Sequence, residues 1–385
     1  MNRTSFLAAG MLLGLIAPAP ANTPALSPKD REEAQQLVGK LGHTSFKVRE
    51  DAANRLVRFG RAVEPVLRQG LTSSEPEVRR RCERLIPLAI HYDLDRQIQA
   101  FLADKDEKHP VALPGWATFK AMAGADEAAR TLFVDMHRID TEYMEMIEKD
   151  PKAALTKLRA KSEEVNNTIT RSWGRYPVTV DQAAFLLYPY LALAAKVDNN
   201  TRMYFTNGIQ TMAYQPNGRQ VLRDDPVIRK MLIAYLNLPA TAYSVSNFSL
   251  IGQLDLPEGL DIARKTLKGK PDLQTRASAI ALIGKLGTKA NLADIEPFLT
   301  DNGAVAAVQF GNNMRIDTQV RDVALATSVQ LSGQSLNDYE FPYLKMFGQQ
   351  RNVQVFNSAQ MFGFSDEAGR TAAFKKWHVW REKNK

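Results

Sequence analysis

One helical pattern recurs along the chain and restricts the folds that are open to it. It is clearest at residues 272–287, where Asp272 precedes Arg276 by four residues and Gly287 ends the segment. Small or apolar residues fall between them at helical spacing, the acidic residue is a good N-terminal cap, and glycine is a common helix terminator. The segment therefore predicts the second helix of a helical hairpin.

The pattern occurs four times, twice near each end of the chain. Its arginines are Arg49, Arg79, Arg276 and Arg321, and the small residues three positions later are Ala52, Cys82, Ala279 and Ala324. The capping or acidic residues four positions earlier are Ser45, Glu75, Asp272 and Asp317. The first two copies lie about 30 residues apart, a period typical of stacked helical hairpins.

These recurring residues are predicted to be structural. We expect each arginine to lie in the first turn of its helix and to reach the acidic cap or the carbonyl groups of the neighbouring repeat. We expect Cys82 to be a buried thiol, because it occupies a small-residue position. The alternative is that the four arginines face a groove and bind an anionic ligand.

The sequence Val-Arg-x-x-Ala, followed by an apolar helix and Leu-Gly, resembles the HEAT-repeat family of α-solenoids. The resemblance covers about residues 28–90 and 257–333. More narrowly, Leu113–Trp116, Gln319–Ala326 and Ala372–Trp377 are similar to segments of uncharacterised exported bacterial HEAT-like proteins. The resemblance implies an α-solenoid architecture, and it implies no particular reaction.

We therefore predict an all-α fold, a HEAT-like helical-hairpin solenoid with a divergent helical middle region. The predicted segments are a signal peptide at 1–21, N-terminal repeats at 22–90, the divergent region at 91–256, C-terminal repeats at 257–340 and a capping segment at 341–385. Residues 300–317 interrupt the C-terminal repeats. There Val305–Phe310 is β-prone and Gly311–Asn313 is a turn, so we expect one small β-hairpin.

The middle region contains a histidine with several acidic neighbours. Residues 125–149 have the period of one long amphipathic helix, with an apolar face of Leu132, Met136, Ile139, Tyr143, Met146 and Ile147. Largely opposite that face lie His137, Asp135, Asp140, Glu142 and Glu145. We interpret them as a solvated surface. The alternative is a metal or acid–base site, which requires Asp135, His137 and Glu142 to converge with residues of another helix.

The N-terminus has the pattern of a secretory signal. Arg3 precedes the apolar segment Phe6–Ile16, and Ala19-Pro20-Ala21 is a small-x-small cleavage sequence. We expect cleavage after Ala21 and export to the periplasm or beyond, with an uncleaved anchor as the alternative. No later segment is apolar for long enough to span a bilayer, so the mature chain is expected to have no transmembrane segment.

Motifs of known chemistry do not occur in the sequence. It contains no His-Glu-x-x-His, no phosphate-binding glycine loop and no Gly-x-Ser-x-Gly. The single cysteine excludes an intramolecular disulfide, a c-type haem and a cysteine-rich zinc site. We therefore assign no catalytic, cofactor-binding or metal-binding residue.

The net charge of +8 favours an acidic partner. Another protein or an acidic component of the cell envelope fits, whereas export argues against nucleic acid. A candidate anion-binding ridge consists of Arg79, Arg80, Arg81 and Arg84, with an exposed helix face as the alternative. The favoured function is an exported, non-enzymatic scaffold or binding module. The alternative is an enzyme, or a subunit of one, with its site in the middle region.

Overall fold

The structure is a computed structural model that describes residues 25–106, 108, 113–172, 177–238, 244–310, 314–347, 356 and 358–384. The predicted signal peptide and the turn Gly311–Asn313 lie outside these residues. The chain divides into two compact units, Met1–Trp116 and Ala117–Lys385. The first unit thus extends past the repeat boundary predicted at residue 90.

The described residues form eighteen α-helices and one antiparallel pair of strands, which confirms the all-α fold with a small β-hairpin. The first helices are α1 (Pro28–Lys40), α2 (Phe46–Arg58), α3 (Glu64–Gly70), α4 (Pro76–Ala103), α5 (Trp116–Ala123), α6 (Glu127–Lys149), α7 (Pro151–Arg171), α8 (Val180–Ala192) and α9 (Asn199–Tyr214). The others are α10 (Pro216–Asp224), α11 (Pro226–Leu236), α12 (Val245–Leu254), α13 (Gly259–Lys268), α14 (Leu273–Leu286), α15 (Leu292–Ile295), α16 (Val320–Leu331), α17 (Pro342–Phe347) and α18 (Glu367–Lys383). The strands are β1 (Ala304–Phe310) and β2 (Met314–Gln319).

The first unit packs α1 to α4 around one apolar core. Its fully buried residues include Leu37, Leu56, Leu67 and Cys82, each from a different helix. A Cβ at Gly70 would overlap the Cys82 sulfur, so the glycine lets α3 approach α4 closely. Burial raises the pKa of the Cys82 thiol to about 11, as expected for a thiol in apolar surroundings.

The second unit is built around α8, which is buried on nearly all sides. Thr179 and Gln182 form a capping box at its start, and Pro189 lies inside the helix. Helices α6, α7, α9 and α11 pack against it. Tyr190 stacks on Phe205 with ring centroids 4.0 Å apart, so these aromatic residues belong to the core.

The C-terminal helix α18 packs against α16. Its Arg370 Nε donates to Asp322 Oδ1 at 2.9 Å, and the two side chains are 6% and 0% exposed. Trp377 is buried in the same contact region. Arg381 Nε donates to Glu296 at 2.6 Å, which ties the end of α18 to the C-terminal repeats.

No helix in the described part of the chain combines the length and the apolar character needed to cross a membrane.

Candidate functional site

Two of the recurring arginines hold the loop that precedes their own helix. Arg49 Nη1 donates to the carbonyls of His43 and Thr44 at 2.7 and 2.9 Å. Arg79 Nη1 donates to the carbonyls of Ser73 and Ser74 at 2.7 and 3.0 Å. Side chains in a helix lean toward its N-terminus, so an arginine in the first turn extends back over the incoming loop. The contacts favour the structural role, with the helix's own loop as the main partner. Arg49 also reaches the next repeat, since its Nε lies 3.9 Å from Glu77 of α4.

The two C-terminal arginines differ from this arrangement and from each other. Arg276 binds the Pro271 carbonyl at 3.2 Å and forms an ion pair with Asp301. Arg321 was predicted to follow the cap Asp317 by four residues, and this alignment is wrong. Strand β2 extends to Gln319, which caps α16, so Arg321 is the second residue of its helix and binds Gln319 and Glu367.

The arginine position recurs in helices that the sequence pattern missed. In nine helices the backbone N–H of an arginine at the fourth helical position donates to the carbonyl of the N-cap residue. These arginines are Arg31, Arg49, Arg79, Arg130, Arg202, Arg219, Arg229, Arg276 and Arg370. Arg219 Nε also donates to the Ala213 carbonyl at 2.9 Å, as Arg49 and Arg79 do to their loops. A search for a capping residue four positions before an arginine would have found five of the six additional copies and missed Arg219, which follows Gln215.

Replacing Arg79 or Arg276 with alanine should lower the free energy of unfolding by about 1–3 kcal/mol, because partly buried carbonyls lose their donor. Chemical denaturation measures this effect. Arg31→Ala is the matched control: it removes an exposed arginine from the same helical position of α1. Unchanged denaturation midpoints in Arg79→Ala and Arg276→Ala would instead favour arginines that bind a ligand.

The small residues of the pattern all lie in the interior. Ala52, Cys82, Ala279 and Ala324 are fully buried. A larger side chain at such a position would overpack the core.

The four arginines of the candidate ridge do not form one surface. Arg79 is held by its loop, and Arg81 lies between Glu50 and Glu77 with N–O distances of 2.8 and 2.7 Å. Only Arg80 and Arg84 are exposed. The ridge is therefore reduced to two arginines one helical turn apart.

His137 is fully buried and packs against Phe133 with ring centroids 4.8 Å apart, so its placement on a solvated face was wrong. The reason is that the first half of α6 buries a wider face than predicted: Phe133 and Val134 are buried as well as Leu132 and Met136. This half ends at Asp140, whose backbone is non-helical (φ −151°, ψ 69°), and beside it Ile139, predicted to be buried, is 56% exposed.

The acidic neighbours of His137 point elsewhere. Asp140 caps the second half of α6 and binds Lys157 and Lys161, while Glu142 is exposed. Asp135 pairs with Arg138 at 3.3 Å. Asp135, His137 and Glu142 thus do not converge, and the described ranges hold no group of three His, Cys, Asp or Glu placed to bind a metal.

The candidate site lies where α7 and α9 begin. Ser162 of α7 contacts Gly208 of α9, and farther along both helices Asn166 accepts a hydrogen bond from Thr211 at 2.7 Å. The second contact is closer to the C-terminus than the first on both helices. Helices α7 and α9 are therefore parallel, and their N-termini lie at the same end. A cleft of about 610 Å³ opens there.

Four of the ten residues that line the cleft are basic, and they come from separate segments. They are Lys149 at the end of α6, Lys152 and Arg159 on α7, and Lys196 in the turn before α9. Lys149 pairs with Glu145 at 2.6 Å. Lys152 and Lys196 are exposed and form no ion pair with any described residue.

The two carboxylates in the cleft are engaged by backbone. Asp150 accepts the N–H of Ala153 at 3.0 Å, and Asp198 accepts the N–H of Thr201 at 2.7 Å. The hydrogen bonds from Thr201 lower the pKa of the Asp198 carboxyl, and the charge of Arg159 lowers it further. The four cations of the lining outnumber these two carboxylates, which makes the cleft attractive to an anion.

The chain matched no protein-family model, no curated protein and no solved structure. The HEAT-repeat resemblance therefore stays a prediction that rests on the recurring residues.

Proposed function

We propose that the chain is an exported, non-enzymatic helical scaffold, a HEAT-like binding module whose partner is an acidic segment of another protein. The segment binds in the cleft at the N-termini of α7 and α9. The observation that carries the proposal is the excess of cations in an open cleft whose two carboxylates are already engaged as helix caps.

The composition of the cleft favours a polypeptide over a sugar or phosphate polymer. Pro151 and Leu155 lie among the basic side chains and present apolar surface. An acidic peptide offers carboxylates to the lysines and aliphatic side chains to this apolar surface, which lets one ligand use both. A polyanion without apolar groups would use only the charges.

Export is part of the same proposal. It rests on the signal pattern that ends at Ala21, together with the helical-hairpin repeats, because such arrays present extended binding surfaces without a catalytic group. The alternative, an enzyme or enzyme subunit with its site in the middle region, stays a hypothesis.

The test is titration of the purified chain with poly-L-glutamate by isothermal calorimetry, with polyphosphate of equal charge as the comparison. We expect poly-L-glutamate to bind and its affinity to fall as the salt concentration rises from about 50 to 300 mM, because salt screens exposed charges. Binding of polyphosphate alone would replace the acidic peptide with an acidic polymer and overturn the proposal as stated. Binding of neither would overturn the cleft as a site.

A further inference from the structure

A second cavity lies between α7 and α8, away from the basic cleft. Its volume is about 240 Å³, and its lining comes from one face of each helix together with Ile139 of α6. The floor is apolar, since Val165, Phe185 and Leu186 are nearly fully buried. An apolar floor with a few polar groups above it is the usual composition of a small-molecule site.

The break in α6 places an apolar side chain at the rim of this cavity. Ile139 directly precedes the non-helical Asp140 and is 56% exposed. Exposing an isoleucine is unfavourable, and a ligand that covers it would recover the hydrophobic free energy. The break itself is held by Asp140, which binds Lys157 and Lys161 at 2.9 and 3.3 Å.

The cation in the lining is already neutralised. Lys161 is paired with Asp140, and its ammonium lies 4.8 Å from the centre of the Phe185 ring. Two carboxylates of the lining, Glu164 and Asp181, form no ion pair within the described residues. The cavity thus has unpaired negative charge above an apolar floor.

The surroundings of Asp181 add to this excess. Burial raises the pKa of its carboxyl, and the nearby charge of Asp135 raises it further. A cation bound beside Asp181 would offset the repulsion from Asp135.

We infer that this cavity binds an organic cation, a primary amine on a short aryl or alkyl body. The ammonium group lies between Glu164 and Asp181, and the body lies on Phe185 and against Ile139. The same chemistry is offered by a free amine and by a lysine side chain of a peptide. Anions are repelled by the two carboxylates, and a neutral alcohol lacks the charge that they require.

The experiment is a calorimetric or NMR titration of the full chain with 2-phenylethylamine, 2-phenylethanol and 3-phenylpropionate. The amine should bind at least tenfold more tightly than the alcohol, and the carboxylate should not bind. A short peptide with one lysine forms a further arm. Tighter binding of the peptide would identify a protein side chain as the occupant, and tighter binding of the free amine a small molecule. Equal binding of amine and alcohol, or no binding of the amine, would overturn the inference.

Substitutions of the two carboxylates test where the amine binds. Asp181→Asn and Glu164→Gln should each weaken amine binding about tenfold, the usual loss for one charge-assisted hydrogen bond. Glu163→Gln is the matched control, because Glu163 is an exposed neighbour on α7 that does not line the cavity. Glu164 is also exposed, so Glu164→Gln should fold normally. It therefore tests the inference even if Asp181→Asn folds poorly. Unchanged affinity in Glu164→Gln would contradict the assignment. Because poly-L-glutamate binding tests the other cleft, the two proposals fail independently.

Discussion

Replacing Asp322 with alanine is expected to lower the free energy of unfolding by about 3–5 kcal/mol, the usual effect of breaking a buried ion pair. Asp322 accepts Arg370 Nε at 2.9 Å and the backbone N–H of Gln319 at 2.9 Å. Without it, the Arg370 guanidinium stays buried beside α16, and its one other carboxylate partner among the described residues is Glu367, which is largely exposed.

The comparison is best made at pH 7. Burial raises the pKa of Asp322 to about 6 in spite of the hydrogen bond from Arg370, so the carboxyl is mostly ionised at pH 7. Chemical denaturation of the wild type and of Asp322→Ala gives the difference in the free energy of unfolding. Asp224→Ala is the control, since Asp224 pairs with Arg223 on the surface, where ion pairs contribute little. A similar loss of stability in both variants would show that the buried pair has no special role.

The sequence was most informative where one residue pattern determines one contact. Cys82 was predicted to be buried because it occupies a small-residue position, and it is buried, as are Ala52, Ala279 and Ala324 at the equivalent positions. The β-hairpin was predicted from a β-prone segment and a turn, and β1 and β2 pair across it. Both patterns depend on residues that are close together in the sequence, so contacts elsewhere in the chain do not change them.

The wrong predictions concern helix boundaries that the amino-acid composition does not reveal. Asp140 breaks α6 without a proline or glycine, so the predicted single apolar face does not continue through the helix, and Ile139 beside the break is exposed. The signal was present: Asp140 accepts the N–H of Tyr143, so it is a capping residue inside an apparently continuous helix. In the same way, β2 continues past Asp317 and moves the cap of α16 to Gln319.

The basic cleft could not be predicted from the sequence. Its cations come from the end of α6, from α7 and from the turn before α9, and none of these segments is a run of basic residues. Only the parallel packing of α7 and α9 brings them together. This packing depends on contacts between residues far apart in the sequence, such as Ser162 with Gly208, and no local sequence pattern predicts them.

Reversing two charges of the cleft is expected to weaken binding of an acidic peptide about 100-fold. The variant is Lys152→Glu with Lys196→Glu. Each substitution replaces attraction between a lysine and a carboxylate by repulsion between two carboxylates, and a change of about 1.4 kcal/mol at each position corresponds to a factor of ten. Both side chains are exposed and unpaired among the described residues, so the fold should be unaffected.

The matched control is Lys265→Glu with Lys268→Glu, which makes the same change in net charge on α13, where both lysines are exposed and outside the cleft. The deciding measurement is the Kd of poly-L-glutamate for wild type, cleft variant and control variant in one buffer of about 150 mM salt. The cleft account predicts a loss of about 100-fold in the cleft variant and a change of less than about threefold in the control. Equal weakening in both variants would mean that only net charge matters, and it would contradict a binding site at the N-termini of α7 and α9.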